Sequence, residues 1–220
     1  MEPTYLAPQL SPKVLPVDRP SRVLSAKLLT TKERGKSSGY SIARKAALRG
    51  AKVTLVSGKT YIDKPEFVDV VEVKSAADMY DAVISRYKSQ DIIIKTAAVA
   101  DYTPAIYYDN KVKKKDGEMS IELTRTKDIL AYLGEHKADN QIICGFSMET
   151  QNLIENSRKK LDKKHVDMIV ANNLNHKGAG FGVDTNKVSF ITKDTLKDIE
   201  IMTKDDLADL ILDEIIKIKA

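Results

Sequence analysis

Between Lys95 and Lys115 the chain reads KTAAVADYTPAIYYDNKVKKK, passing from an apolar strand through small residues and one acid to a cluster of lysines. Each of these residue types has a use in holding a nucleoside triphosphate. The strand Asp91 to Lys95 delivers Thr96, Ala97 and Ala98 to its carboxyl end, where ligands dock in open parallel sheets. Side chains this small let a sugar or base approach the backbone. Asp101 suits a ribose hydroxyl or a divalent cation. Lys111, Lys113 and Lys114 supply positive charge for phosphates. The same residues also read as a strand, a turn and a solvated basic loop, and the pattern alone leaves both open.

Such a segment needs a sheet to hold it, and the rest of the chain supplies one. Ala26 to Thr31 reads as a first strand, and Tyr40 to Arg49 as a helix with Ile42, Ala43, Ala46 and Ala47 on one face, ended by Gly50. Lys52 to Val56 and Val68 to Val73 follow as strands. Ser75 with Asp78 resembles a capping box, and Met79, Ala82, Val83 and Tyr87 continue at helical spacing. Met119 to Thr124 alternates like an exposed edge strand. A helix from about Lys127, a strand at Ile142, a charged helix from Glu149 to Lys164 and a strand Met168 to Ala171 come next. Lys187 to Thr192 and Asp198 to Met202 suggest a hairpin, after which Thr203 and Asp206 cap a terminal helix. Strands separated by helices predict an α/β, three-layer, Rossmann-like fold: a mainly parallel central sheet with a C-terminal hairpin and helix.

Composition narrows the function classes. The chain of 220 residues is long enough for one domain with a proper core. Residues 1–22, with five prolines and no periodicity, read as a linker or tail, and residues 23–220 as the folded domain. No apolar run is long enough for a bilayer, and no signal peptide is visible. The lone Cys144, inside the run Ile142 to Phe146, fits a reducing cytoplasm and a buried structural thiol. His136, His165 and His176 lack ligand spacing and suggest no zinc site. A net charge of +5 suits anionic substrates. Nucleic acid is not expected, because the run Lys111 to Lys115 has no interleaved aromatics and Asp109, Asp116 and Glu118 flank it.

Seven ordered stretches resemble one family. AAVADY followed by KVKK is its hallmark, together with GYSIARKAALRGAKVTLVSG, VVEVKSAADMYDAV, KDIL, GFSMET, KKLDKKHVDMIVANN and FGVDTNKVSFI, from about Gly39 to the end. The family is phosphopantothenoylcysteine synthetase, the phosphopantothenate–cysteine ligase of coenzyme A biosynthesis. In many bacteria it is the carboxyl-terminal half of a bifunctional protein with a flavin decarboxylase upstream. The resemblance implies a cytoplasmic enzyme that joins 4′-phosphopantothenate to L-cysteine through an acyl-cytidylate made from CTP with Mg2+, and a homodimer. It places Thr96 and Ala97 against the nucleotide, and Asp101 on the ribose or on magnesium. Lys111 falls on the triphosphate and in formation of the acyl nucleotide. Lys127, Asp128, Ile129 and Leu130 close over the cytidine, Phe146 stacks on the base, and Lys160 and Lys164 complete the phosphate and base contacts.

The sequence also departs from the family. The usual glycine-rich turn, and the asparagine before the Ser-Ser-Gly run, are missing from LLTTKERGKSSGYS, and the AND triplet is ANN, with Asn173 in place of the acid. Thr30 stands where a P-loop needs its first glycine, so Gly35 to Gly39 is not one. The alternative expectation is therefore a nucleotide-binding but catalytically incomplete synthetase-like domain.

Overall fold

A computed structural model describes residues 27–32, 38–108, 110–113, 117, 120–149, 151–173 and 183–219. Residues 1–22, residues 33–37 of the stretch that departs from the family, and Lys114 lie outside this set. Along the chain run β1 (Lys27–Lys32), α1 (Ser38–Leu48), β2 (Lys52–Gly58), β3 (Val68–Val73), α2 (Ala76–Ile84) and β4 (Ile92–Lys95). They continue with β5 (Tyr102–Pro104), β6 (Leu123–Arg125), α3 (Ile129–His136), β7 (Ile142–Glu149), α4 (Leu153–Lys163) and β8 (Met168–Asn173). The chain closes with β9 (Thr185–Ile191), β10 (Leu196–Thr203) and α5 (Lys204–Lys219).

Eight strands form one sheet in the order β10-β9-β8-β7-β4-β1-β2-β3. The six from β8 to β3 are parallel, and β9 and β10 add an antiparallel edge. Ile92, Ile93 and Ile94 are all fully buried because the central strand is covered on both faces. On one face α1 and α5 pack through Ile42, Ala43, Ala46, Leu207, Ile211 and Leu212. On the other, α2, α3 and α4 contribute Met79, Val83, Leu130, Leu133 and Leu161. This is the expected three-layer arrangement. The chain builds β1 to β3 in one direction and β4, β7 and β8 in the other, so the sheet reverses between β1 and β4. In open α/β sheets that reversal opens a crevice beyond the carboxyl ends of the strands.

Several elements fall where the sequence places them, with ends set by capping. Ser75 and Asp78 form a full capping box on α2. At α5 the Thr203 hydroxyl accepts the Asp206 amide at 3.1 Å. Asp128 caps α3 through the Ala131 amide at 2.9 Å, so that helix starts at Ile129 rather than Lys127. Two expectations need correcting. Glu149 ends β7 instead of opening α4, because Asn152 adopts a left-handed backbone (φ 50°) and the helix starts only after it. The expected edge strand over Met119 to Thr124 is instead Leu123–Arg125. It pairs with Tyr102–Pro104 in a separate two-stranded ribbon, which satisfies its backbone groups away from the main sheet.

Charge clasps α1 to α5. Arg49 is 8% exposed and reaches Asp209 Oδ1 and Asp213 Oδ1, each at 2.7 Å, and Lys45 meets Asp209 at 2.6 Å. Burial pushes Asp209 upward, but hydrogen bonds from Lys45 and Arg49 outweigh it and hold the carboxyl below its ordinary value. A carboxyl depressed in the folded state stabilises above its unfolded pKa, and that stability is lost as pH falls through the folded value. Melting temperature is therefore expected to drop steeply below about pH 4, and Asp209→Asn is expected to flatten that drop. A pH–melting series on both proteins checks it.

Candidate active site

At the reversal point lies a cavity of about 880 Å³, within the size range of small-molecule sites. It spans the carboxyl ends of β4, β7 and β8, the ribbon, the start of α3 and the lysine-bearing face of α4. Eight basic side chains line it against two carboxylates, Asp101 and Asp128. Such an imbalance in a partly desolvated crevice favours a polyanion.

Ten of the residues singled out in the sequence meet in this lining: Thr96, Ala97, Asp101, Lys127, Asp128, Ile129, Leu130, Phe146, Lys160 and Lys164. They come from four separate stretches. Lys111 is not among them and lies exposed in the segment between β5 and β6. Ala97, at 4% exposure, forms a flat floor beyond β4. Phe146 follows Gly145, which lies beside Lys95 in the sheet register. At Gly145 a Cβ would come within 2.8 Å of Leu130 Cδ2, so its missing side chain lets α3 seat closely on β7.

The cations are held, not splayed. Lys160 donates to the Phe146 carbonyl at 2.8 Å, which draws its ammonium toward the sheet edge. Burial pulls Lys160 below the ordinary lysine value, although Glu149, Asp128 and Asp101 oppose that. One turn on, Lys164 pairs with Asp128 at 2.6 Å. Asp128 therefore caps α3 and positions Lys164 with the two oxygens of one carboxylate. Burial raises its pKa, but Lys164, the Ala131 amide and Lys95 bring the net value below normal. Lys127 sits over the Tyr80 ring at 4.7 Å.

Asp101 is exposed, and its carboxylate makes no ion pair among the described residues. Its backbone is fixed by Thr126, whose amide donates to Asp101 O at 2.9 Å and whose hydroxyl donates to Ala100 O at 2.6 Å. Thr126→Val keeps the shape and removes the hydroxyl. It is expected to cost about 0.5–1.5 kcal/mol of stability and to weaken nucleotide binding several-fold by loosening the Asp101 turn. Thermal melting and nucleotide titration of the two proteins measure both effects.

Residues 25–218 match the family described as DNA/pantothenate metabolism flavoprotein C-terminal domain. The chain belongs to this family. It is 49% identical over 191 residues to the coenzyme A biosynthesis bifunctional protein CoaBC of Bacillus subtilis strain 168, covering 86% of this chain and 47% of that protein. Against the CoaBC of Escherichia coli strain K12 the identity is 38% over 181 residues, covering 81% and 45%. The chain thus spans about half the length of the curated relatives it matches. Among solved structures, the C-terminal domain of CoaBC superposes with a TM-score of 0.73 at 38% identity, covering 88% of this chain and 96% of that domain.

Within this family fold, several lining residues escaped the sequence reading. Arg125 and Thr126 immediately precede the KDIL motif. Lys159 and Lys163 lie on α4 beside Lys160 and Lys164. Asn172, Asn186 and Lys204, from β8, β9 and the first residue of α5, reach the cavity only because the antiparallel hairpin folds back onto the sheet. Asn172 and Asn186 stand within the VANN and FGVDTN motifs, whereas no local signal marks Lys204.

Proposed function

We propose that this domain is a phosphopantothenate–cysteine ligase acting through a CTP-derived acyl nucleotide, in the cytoplasm. The observation supporting this reading is the convergence of ten motif residues on one strongly cationic cavity at the sheet reversal. In this reading the carboxylate of 4′-phosphopantothenate attacks the α-phosphorus of CTP and pyrophosphate leaves. The amine of L-cysteine then attacks the acyl carbon of the cytidylate, CMP leaves, and the ammonium proton is lost to solvent. The chain's part is positioning and charge compensation, since every step gathers or develops charge on phosphate oxygens. Thr96 and Ala97 give a flat surface to the nucleotide, Lys127 to Leu130 flank it at the start of α3, Phe146 offers a ring to the base, and Lys160 and Lys164 face the phosphates. Asp101 fits Mg2+ as it arrives with the nucleotide, because that ion needs only one or two protein carboxylates alongside phosphate oxygens.

Lys111 acts, in this reading, in the cavity of a second copy. The family resemblance implies a homodimer in which the segment around Tyr102 to Asp116 reaches the partner's site. The exposed apolar residues Tyr102, Ile106, Tyr107, Tyr108, Val112, Ile121 and Leu123 on and around the ribbon support such a contact. Lys111→Gln is expected to leave CTP binding largely intact and to cut turnover.

The deciding experiment mixes the protein with CTP, Mg2+, 4′-phosphopantothenate and L-cysteine and measures pyrophosphate. Release that requires the acid, followed by CMP release that requires cysteine, supports the ligase. A second reading, a nucleotide-binding but incomplete domain, is favoured by the absence of an asparagine before Ser37-Ser38. It predicts a CTP-induced rise in melting temperature with no pyrophosphate. ATP run in parallel reports base preference.

A further inference from the structure

No residue of α2 lines the cavity, yet one of its side chains touches the site. Lys127 belongs to the cavity wall, and its ammonium lies over the face of Tyr80, 4.7 Å from the ring centre. Among the described residues Lys127 makes no ion pair and no side-chain hydrogen bond. Lys160 and Lys164 differ, being bonded to the Phe146 carbonyl and to Asp128. A ring face attracts an ammonium through its quadrupole and occupies only the side turned toward it, so donors on the other side stay available. The ring is itself held. Tyr132 of α3 meets Tyr80 at 5.6 Å and 74°, Tyr87 meets Tyr132 at 5.9 Å and 86°, and His136 stacks on Tyr132 at 4.0 Å and 9°. The first two are edge-to-face pairs, a favoured aromatic geometry. Tyr87 is 3% exposed, and Tyr80 and Tyr132 are half-buried against the same core. The cluster thus joins α2, the short turn Tyr87–Ser89 and α3 behind the cavity.

We infer that Tyr80 is a positioning residue of the nucleotide site: its ring aims the Lys127 ammonium at oxygen atoms of the bound nucleotide. The inference rests on the nucleotide-binding reading above. Lys127 is exposed, and a free lysine side chain loses much rotamer freedom when a ligand orders it. A contact that orders the side chain beforehand lowers that cost at binding. Its backbone is already set, because the next residue is the Asp128 cap of α3. A side chain that starts there, lines the cavity and ends on Tyr80 runs along the rim between α2 and the nucleotide. Tyr80 therefore gives α2 its route to the site. The attraction comes from the ring and not from the hydroxyl, so phenylalanine can serve in its place and leucine cannot.

The test uses the full chain, the variants Tyr80→Phe, Tyr80→Leu and Lys127→Met, and the double variant of the last two. Calorimetry titrates CTP with Mg2+ into each. In parallel, lysines dimethylated with isotopically labelled formaldehyde are followed by NMR without nucleotide, and the Lys127 signal is assigned by its loss in Lys127→Met. An upfield ring-current shift of that signal is expected in the parent and in Tyr80→Phe, and its loss in Tyr80→Leu. CTP affinity is expected to fall roughly three- to tenfold in Tyr80→Leu and to stay near the parent's in Tyr80→Phe. In the double variant it is expected to be no lower than in Lys127→Met alone. An equal fall in the Lys127→Met background would make Tyr80 a packing residue and overturn the inference. Affinity in Tyr80→Leu at or above the parent's would overturn it too, a rise meaning that the ring holds the ammonium away from the nucleotide. Failure of Tyr80→Phe to match the parent has the same consequence. Should Tyr80→Leu not fold, the parent's ring-current shift and the loss of affinity in Lys127→Met decide, and the absence of either overturns the inference. A parent that binds no CTP defeats the nucleotide reading and the positioning role together. The NMR signal, which needs no nucleotide, separates that failure from a misplaced lysine.

Discussion

Replacing Lys160 by methionine is expected to weaken nucleotide binding by roughly 10- to 150-fold while leaving the fold as stable as before or more so. The two halves of that outcome have one cause. The Lys160 ammonium is drawn into the cavity by its bond to the Phe146 carbonyl, and burial depresses its pKa. A lysine depressed in the folded state binds its proton less tightly there than when unfolded, so the charge works against folding. Methionine keeps most of the stem and removes that burden. Facing a phosphate, the same partly desolvated ammonium makes a charge-assisted hydrogen bond stronger than one in water, worth about 1.5–3 kcal/mol. Bound phosphates raise the lysine's pKa again, so nucleotide binding takes up protons. Affinity in the wild type is therefore expected to fall as pH rises through the free protein's depressed value, before ordinary lysines titrate, and the methionine variant is expected to lose that slope. A nucleotide titration series across alkaline pH, with melting curves, measures all three effects. Equal affinity in the two proteins would remove Lys160 from the site.

The legible parts of this molecule are those written locally. Three consecutive isoleucines mark β4 as covered on both faces, and Ser75 with Asp78 marks the start of α2. At the end of β4, Thr96, Ala97 and Asp101 follow from a strand end and from residue type, whereas Lys127 to Leu130, Phe146, Lys160 and Lys164 were placed by the family resemblance alone. The rest depends on contacts far apart in sequence. Tyr102–Pro104 contains a proline and pairs with a strand some twenty residues on, so nothing nearby announces the ribbon that fixes Asp101. Asn172 is one of two asparagines that end an otherwise apolar strand, and which face it takes matters only once β9 and α5 close beside it. The start of α4 hinged on a left-handed backbone at Asn152. Lys111 was read from its motif, and its exposed position outside the cavity shows the limit of reading one chain for a site that the proposed dimer would complete.

Of Gly117, Gly134 and Gly145, Gly134 is expected to be the most damaging to replace by alanine. In the interior of an exposed helix this substitution normally stabilises by nearly 1 kcal/mol, because glycine loses more backbone freedom on folding. In α3 the sign reverses. An added Cβ would lie 1.7 Å from the Lys164 carbonyl oxygen and 2.9 Å from its carbon. The obstacle is main chain at the end of α4, where Lys164 and His165 bond back to Lys160 and Asp162, so no side-chain rotation relieves it. The helices must separate, at a cost of roughly 2–3 kcal/mol or more, or about 4–12 °C in melting temperature for a domain this size. Separation also stretches the 2.6 Å pair between Asp128 on the α3 cap and Lys164, so nucleotide binding is expected to fall along with stability. The double variant with Lys164→Ala discriminates the cause: it removes the side chain and leaves the carbonyl, so no stability returns. A melting temperature at or above the parent's would show that α3 and α4 are not locked by this contact, and that the paired lysine and aspartate owe their placement to something else.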